Sequence, residues 1–219
     1  MDVSNWINTN DYTIPQLLWN GVGCSFWLVT YILLVRNSIK TKFVEMPFII
    51  AAGNISWEFV WSFCFHPNTG RFYVLGYQAS FFLDVVIFWM VFKYGSKQID
   101  IPVLKKHFKL ILIGLIVLWV PLNYYFVEQG FDTKIGANSG YILNLIISLL
   151  YPILYFRNNA TLFSRWISWC RLLGTGCITV SMFLIYPDNH FLQILGVACF
   201  VIDLIFTLYL EKNKKRHTV

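Results

Sequence analysis

An all-α bundle of seven transmembrane helices is the fold that this sequence predicts, and three observations predict it. Hydrophobic residues make up 57% of the 219-residue chain, charged residues only 13%, and the mean hydropathy is +0.58. A soluble domain of that length needs far more polar surface. The apolar residues also gather into runs of about 20, the length a helix needs to cross a hydrocarbon core. Finally, nearly all the basic residues fall between alternate runs.

Taken in order, the runs cover residues 14–35, 46–65, 72–92, 108–127, 137–156, 171–186 and 191–210. The first is preceded by Asp2 and Asp11 and followed by no small-residue cleavage site, so it reads as a retained span and not a cleaved signal. The second and third carry acids, Glu58 and Asp84; the fourth follows a basic cluster; the fifth is rich in tyrosine. The sixth is the shortest, opening at Arg171, and the seventh carries Asp203 and ends at a basic tail. The connections are too short for a separate soluble domain, which leaves one membrane domain over 1–219.

Charge placement sets the orientation. Arg36, Lys40 and Lys42 follow the first run; Lys93, Lys97, Lys105, Lys106 and Lys109 follow the third. Arg157, Arg165 and Arg171 follow the fifth, and Lys212, Lys214, Lys215 and Arg216 form the tail. Of the 17 basic residues, that leaves only Arg71 and Lys134 on the other side. Basic residues concentrate in cytoplasmic loops, so the amino terminus is expected outside and the carboxyl terminus in the cytoplasm. The net charge of +6 is therefore a topology signal, and a nucleic-acid partner is not expected. The membrane would be the cytoplasmic one in a bacterium and the endoplasmic reticulum in a fungus.

The five cysteines (Cys24, Cys64, Cys170, Cys177, Cys199) form no CxxC pair and no disulfide framework. His66, His107, His190 and His217 lie outside the spans, so no metal site and no cofactor are expected.

Glu58, Asp84 and Asp203 lie inside predicted spans. Each costs about 2.5–3.5 kcal/mol at a helix centre, which turns such groups toward the bundle interior. One acid alone is as readily a helix–helix hydrogen bond. Three acids without an intramembrane basic partner point to function, Arg171 at the start of the sixth run being the nearest cation. At about 1.5 Å per residue, Glu58 and Asp203 each lie roughly 18 Å from the start of their spans, on opposite sides of the midplane. With Asp84 near the depth of Asp203, the three are expected to flank one cavity.

Aromatic and amide side chains surround them. Asn54, Glu58 and Trp61 recur at helical spacing, as do Tyr77, Phe81, Asp84 and Phe88, and Tyr141, Asn144, Ser148, Tyr151 and Tyr155. Trp6, Trp166 and Trp169 read as interfacial belt residues. Beside an unpaired acid, an aromatic stripe gains meaning because aromatic faces stabilise a cation.

Several classes are excluded. A retinal-binding pump needs a lysine in its last helix, and 191–210 contains none. Metal-dependent prenyl chemistry needs clustered Asp residues to hold magnesium, and no DDxxD or NDxxD is present. A proton-coupled transporter of the PQ-loop type stays open as an alternative, on Pro15-Gln16 alone, with no second Pro-Gln in the fifth run.

Met46-Pro47 followed by Gly53-Asn54-Ile55-Ser56-Trp57-Glu58 resembles the second helix of a known family. These are the small seven-helix membrane terpene cyclases of fungal meroterpenoid and indole-diterpene pathways, the pyripyropene and paspaline type. Arg171-Leu172-Leu173-Gly174-Thr175-Gly176-Cys177 is similar to their R-x-x-G-x-G-C segment, and Gly196 to Asp203 to their G-x-x-x-x-x-x-D. The resemblance covers nearly the whole chain. It implies that Glu58 and Asp203 are the essential acids, with Asn54, Trp57 and Arg171 at matching positions. Asp84 departs from the pattern.

That activity agrees with the residues. The substrate would be a lipophilic polyprenyl or prenylated aromatic molecule entering from the bilayer. Protonation of an alkene or an epoxide starts the cyclisation without a metal, and burial beside a second acid favours a neutral carboxyl donor. Glu58 and Asp203 are both candidates for that donor. Asn54 would orient Glu58, with Trp57, Trp61, Phe81 and Tyr141 shielding the cation and Asp84, Asn144 and Arg171 as further binding residues.

Overall fold

A computed structural model describes residues 6–216, with side chains through Lys214; Asp2, His217 and the side chains of Lys215 and Arg216 lie outside the described residues. All regular structure among the described residues is helical. The elements are α1 (Ile14–Thr41), α2 (Phe48–Phe59), α3 (Arg71–Tyr94), α4 (Pro102–Lys106), α5 (Phe108–Glu128), α6 (Ala137–Phe156), α7 (Arg165–Ile185) and α8 (His190–Arg216). Six of these are long and apolar enough to cross a membrane: α1, α3, α5, α6, α7 and α8. The predicted second span is a shorter helix, 12 residues of α2 continued by a 5-residue π-helical stretch, Val60–Cys64.

Local sequence explains the ends. Pro15 occupies the first turn of α1, where its missing N–H costs nothing, and Gln16 reaches back to the Thr13 N–H. Pro47 immediately precedes α2. Lys42 adopts φ 53°, ending α1 with its N–H on the Ser38 carbonyl. α7 opens at Arg165, six residues before the expected start at residue 171. Apolarity alone treated Arg171 as a boundary, but an arginine whose charge is paired inside the bundle need not end a helix.

Small residues bring the helices together, as expected where lipid gives no hydrophobic drive to pack. α1 packs most extensively on α7. A Cβ on Gly23 would lie 2.9 Å from the Gly174 carbonyl oxygen, and one on Gly174 would lie 2.8 Å from Trp27 Cδ1. One buried cluster contains Tyr31, Ile87, Tyr151, Phe163 and Phe206; a second contains Tyr12, Tyr141, Met182 and Leu192. Between them lies a cavity.

Candidate active site

The cavity has a volume of about 240 Å³ and is walled by α1, α2, α3, α6 and α7. Its wall is mostly apolar and aromatic, with Trp27, Tyr31, Trp57, Tyr77 and Tyr141 contributing rings. Glu58 is the carboxyl in this wall, 5% exposed, with Oε2 buried and without a hydrogen-bond partner. Asn144 Oδ1, also in the wall, is likewise buried and unpartnered, while its amide donates to Thr175 Oγ1 at 3.2 Å. Buried polar atoms are rarely left so, and these two are the unpartnered ones in the cavity wall.

Three helices hold Glu58. The Tyr31 hydroxyl of α1 donates to Glu58 Oε1 at 3.5 Å, a long contact. Asn54, one turn before Glu58, donates through Nδ2 to the Tyr31 oxygen at 2.5 Å and to Asp84 Oδ2 at 2.9 Å. Glu58 and Asp84 thus share one bridge, and no ion pair reaches either acid among the described residues. Trp57 is fixed by a different chain: its Nε1 donates to Ser139 Oγ at 2.7 Å, and Ser139 donates to Asp132 Oδ2. Asp132, in the α5–α6 connection, also accepts from the Thr133 and Asn138 N–H groups. Burial raises its carboxyl above the usual range, these bonds opposing the shift. Gly136, at φ 74°, sits where a Cβ would come within 2.8 Å of both Trp57 and Trp61.

The structure differs from the expectation of one cavity flanked by three acids. Asp84 is 2% exposed and stands behind Asn54, outside the wall. Asp203 belongs to a separate cluster, where Arg171 Nη2 donates to its Oδ1 at 2.9 Å and both side chains are 5% exposed. Arg171 is therefore a partner for an intramembrane acid and not an interfacial anchor or a cavity residue. The early start of α7 carries it into the bundle. Its guanidinium lies 4.4 Å from the centre of the Tyr151 ring, and the Tyr151 hydroxyl donates to Glu45 Oε2 at 2.8 Å.

Two further expected cavity residues lie elsewhere. Trp61 is 1% exposed and packs on Trp57, because the helix widens into the π turn at Val60 and breaks the α-helical register. Phe81 packs against the exposed rings of Phe59, tilted at 6.1 Å, and Phe63, edge to face at 5.1 Å between ring centres. Asn54, Trp57, Glu58, Tyr141 and Asn144 do share the wall.

Sequence reading missed Tyr31 and Glu45. Tyr31 lies on the first span, whose pairing with α2 has no local signal. Glu45 precedes the second run and read as a loop residue, yet it is 2% exposed and accepts from the Ser164 N–H at 2.8 Å and from Asn37. Among the described residues no group of three or more His, Cys, Asp and Glu side chains is placed to hold a metal ion.

Membrane-length helices thus enclose an aromatic cavity whose acid makes no ion pair among the described residues. The family model of the Pyr4-like transmembrane terpene cyclases matches residues 12–216, and the chain belongs to that family. It is 26% identical over 159 residues to the terpene cyclase macJ of Penicillium terrestre, covering 68% of this chain and 59% of that protein. It is 27% identical over 174 residues to the Pyr4-family terpene cyclase mfmH of Annulohypoxylon moriforme, covering 75% and 69%. To the terpene cyclase ascF of Acremonium egyptiacum it is 30% identical over 111 residues, covering 50% and 40%. The matched stretch thus spans less than two thirds of macJ and of ascF. No solved structure matches the chain. The PQ-loop transporter alternative gains no support from these relatives.

Proposed function

We propose that this chain is a terpene cyclase of the membrane interior, in which Glu58 protonates an alkene or an epoxide of a polyprenyl or prenylated substrate. The observation that carries this reading is the setting of Glu58: it is the acid of the cavity wall, it has an unpartnered oxygen, and no cation pairs with it among the described residues. A general acid must hold its proton until the substrate arrives. Glu58 faces the cavity with no basic partner among the described residues, whereas Asp203 is engaged by Arg171 and lies outside the wall, so it is the poorer donor.

In the proposed step the Glu58 proton passes to the terminal alkene carbon or the epoxide oxygen. The alkene π bond or the epoxide C–O bond breaks, leaving a tertiary cation that the next alkene attacks. The π electrons of successive double bonds form the ring bonds, and the last cation loses a proton, directly or after capturing water, which restores the Glu58 carboxylate to its acid form. Trp27, Tyr31, Trp57 and Tyr77 present ring faces that stabilise the migrating charge. Tyr31, Asn54 and Asp84 position the acid. The route needs no metal.

The same reading includes the topology. Phe48–Cys64 completes a single domain of seven spans, and the placement of Lys and Arg sets the amino terminus outside and the carboxyl terminus in the cytoplasm.

The test is incubation of membranes containing the protein with plain and epoxidised prenylated phenols and polyprenols. Formation of a cyclic isomer by the wild type and not by Glu58→Gln is expected. Failure to cyclise any member of a broad panel, in correctly inserted protein, would defeat the proposal.

A further inference from the structure

Of the residues that wall the cavity, the exposed ones are Ser25 on α1 and Phe72 and Gly76 on α3. Every other wall residue is buried or half-buried, including all those from α2, α6 and α7. The α1–α3 seam is tied at one end by the Tyr73 hydroxyl, which donates to the Leu17 carbonyl at 2.6 Å. It is tied at the other by Tyr31, Asn54 and Asp84, which join α1, α2 and α3. Between the ties α1 contributes Gly21 and Ser25 to the cavity wall, and α3 contributes Gly76 and Ser80. A Cβ built on Gly76 would meet nothing within 4 Å. Ser25 lies 11 residues into the 28-residue α1, so at about 1.5 Å per residue the gap sits roughly 16 Å along it, within the hydrocarbon.

We infer that the gap between Ser25 and Gly76 is a lateral portal through which an apolar prenyl chain passes between the bilayer and the cavity, and that Gly76 sets its width. The inference rests on the cyclase reading for the identity of the guest, and on the geometry alone for the route. Ser25 and Gly76 are small, exposed and part of the cavity wall, and the space beside Gly76 is open. The rest of the wall is closed by packed helices, and the unpartnered carboxyl oxygen of Glu58 gives the entering chain a polar destination. A prenyl chain is the fitting occupant because it already resides in hydrocarbon and gives up no water contacts on entry.

The experiment pairs Gly76→Trp with Gly114→Trp. Gly114 is equally exposed and equally free of neighbours within 4 Å, but it lies on α5, away from the seam. Ser25→Phe narrows the portal from the opposite rim and guards against misfolding of a single variant. Cyclisation kcat/KM is expected to fall at least tenfold in Gly76→Trp and Ser25→Phe and to stay at the wild-type value in Gly114→Trp. In parallel, a prenylated phenol carrying a diazirine on its chain is photolysed in the bilayer. Crosslinks are expected on residues 21–28 and 72–80, reduced by Gly76→Trp and untouched by Gly114→Trp. Wild-type turnover that survives in both rim variants, or crosslinks that map to other helices, would overturn the portal and leave the cyclase reading standing. Seam crosslinks in a protein that cyclises nothing would retain the portal and defeat the cyclase reading.

Discussion

Arg171 donates to Asp203 Oδ1 across 2.9 Å between α7 and α8, in a place where both side chains are 5% exposed. The cation that appeared to sit at a membrane boundary is thus the partner of the acid in the last helix. Two acid sites result, one charge-balanced and one not, and they carry different expectations.

Glu58 stands at the unbalanced site. Glu58→Gln keeps the shape and removes the acid, so cyclisation is expected to vanish while insertion and substrate crosslinking persist. General acid catalysis is worth about 10²- to 10⁴-fold, and product formation by mass spectrometry has the range to see such a loss. Residual turnover within tenfold of wild type would exclude Glu58 as the donor.

Asp203 is expected to position α7 against α8. Asp203→Asn strands a buried arginine, a change that costs about 3–5 kcal/mol in comparable pairs, so thermal stability in detergent and activity should fall together. Replacing both partners by apolar groups, Arg171→Met with Asp203→Leu, should restore most of the stability. A stable Asp203→Asn protein without turnover would instead place Asp203 in the chemistry.

Hydrogen bonds link Asp84 to Glu58 through Asn54 and Tyr31. Asp84→Asn is expected to retain measurable cyclisation with an altered product ratio, because the acid is less well aimed and the proton source is intact. Complete inactivation at normal expression would make Asp84 the catalyst.

Glu45 gives a pH dependence. Burial pushes its carboxyl from the usual 4.5 up to about 7, against the opposing bonds from the Ser164 N–H, Tyr151 and Asn37. Below the unfolded value the group is protonated in both states. As pH rises from 4.5 to about 7 the unfolded chain releases this proton and the folded chain keeps it, so stability declines through that window and then levels. Asp132 shifts in the same direction, so the comparison is between wild type and Glu45→Gln. A shallower slope of melting temperature between pH 5 and 7 is expected in the variant. An unchanged slope would count against it.

Arg165 and Lys106 lie far from the cavity, Arg165 being half-exposed beside Glu211 at 3.6 Å. Replacing either by Gln should leave turnover near the wild-type value in correctly inserted protein. Loss of activity there would mean that these charges do more than orient the chain.

The sequence by itself determined the class, because hydropathy and charge placement act one residue at a time: long apolar runs must be helices in lipid, and basic residues mark their ends. It also marked Asn54 and Glu58, since residues one turn apart share a helix face by geometry alone, while Trp57 came from the resemblance of its segment to the family's second helix. What only the tertiary structure decided was partnership. Arg171 meets Asp203 because α7 continues through a charge that α8 neutralises. Trp61 leaves the cavity because a π turn resets the register after Phe59. Tyr31 reaches Glu58, and Glu45 reaches Tyr151, across helix pairs far apart in sequence. A buried acid is costly wherever it stands, so composition shows that it must be compensated. Whether a cation, a hydrogen bond or a substrate does so depends on which helices touch, and that is fixed by packing between distant segments.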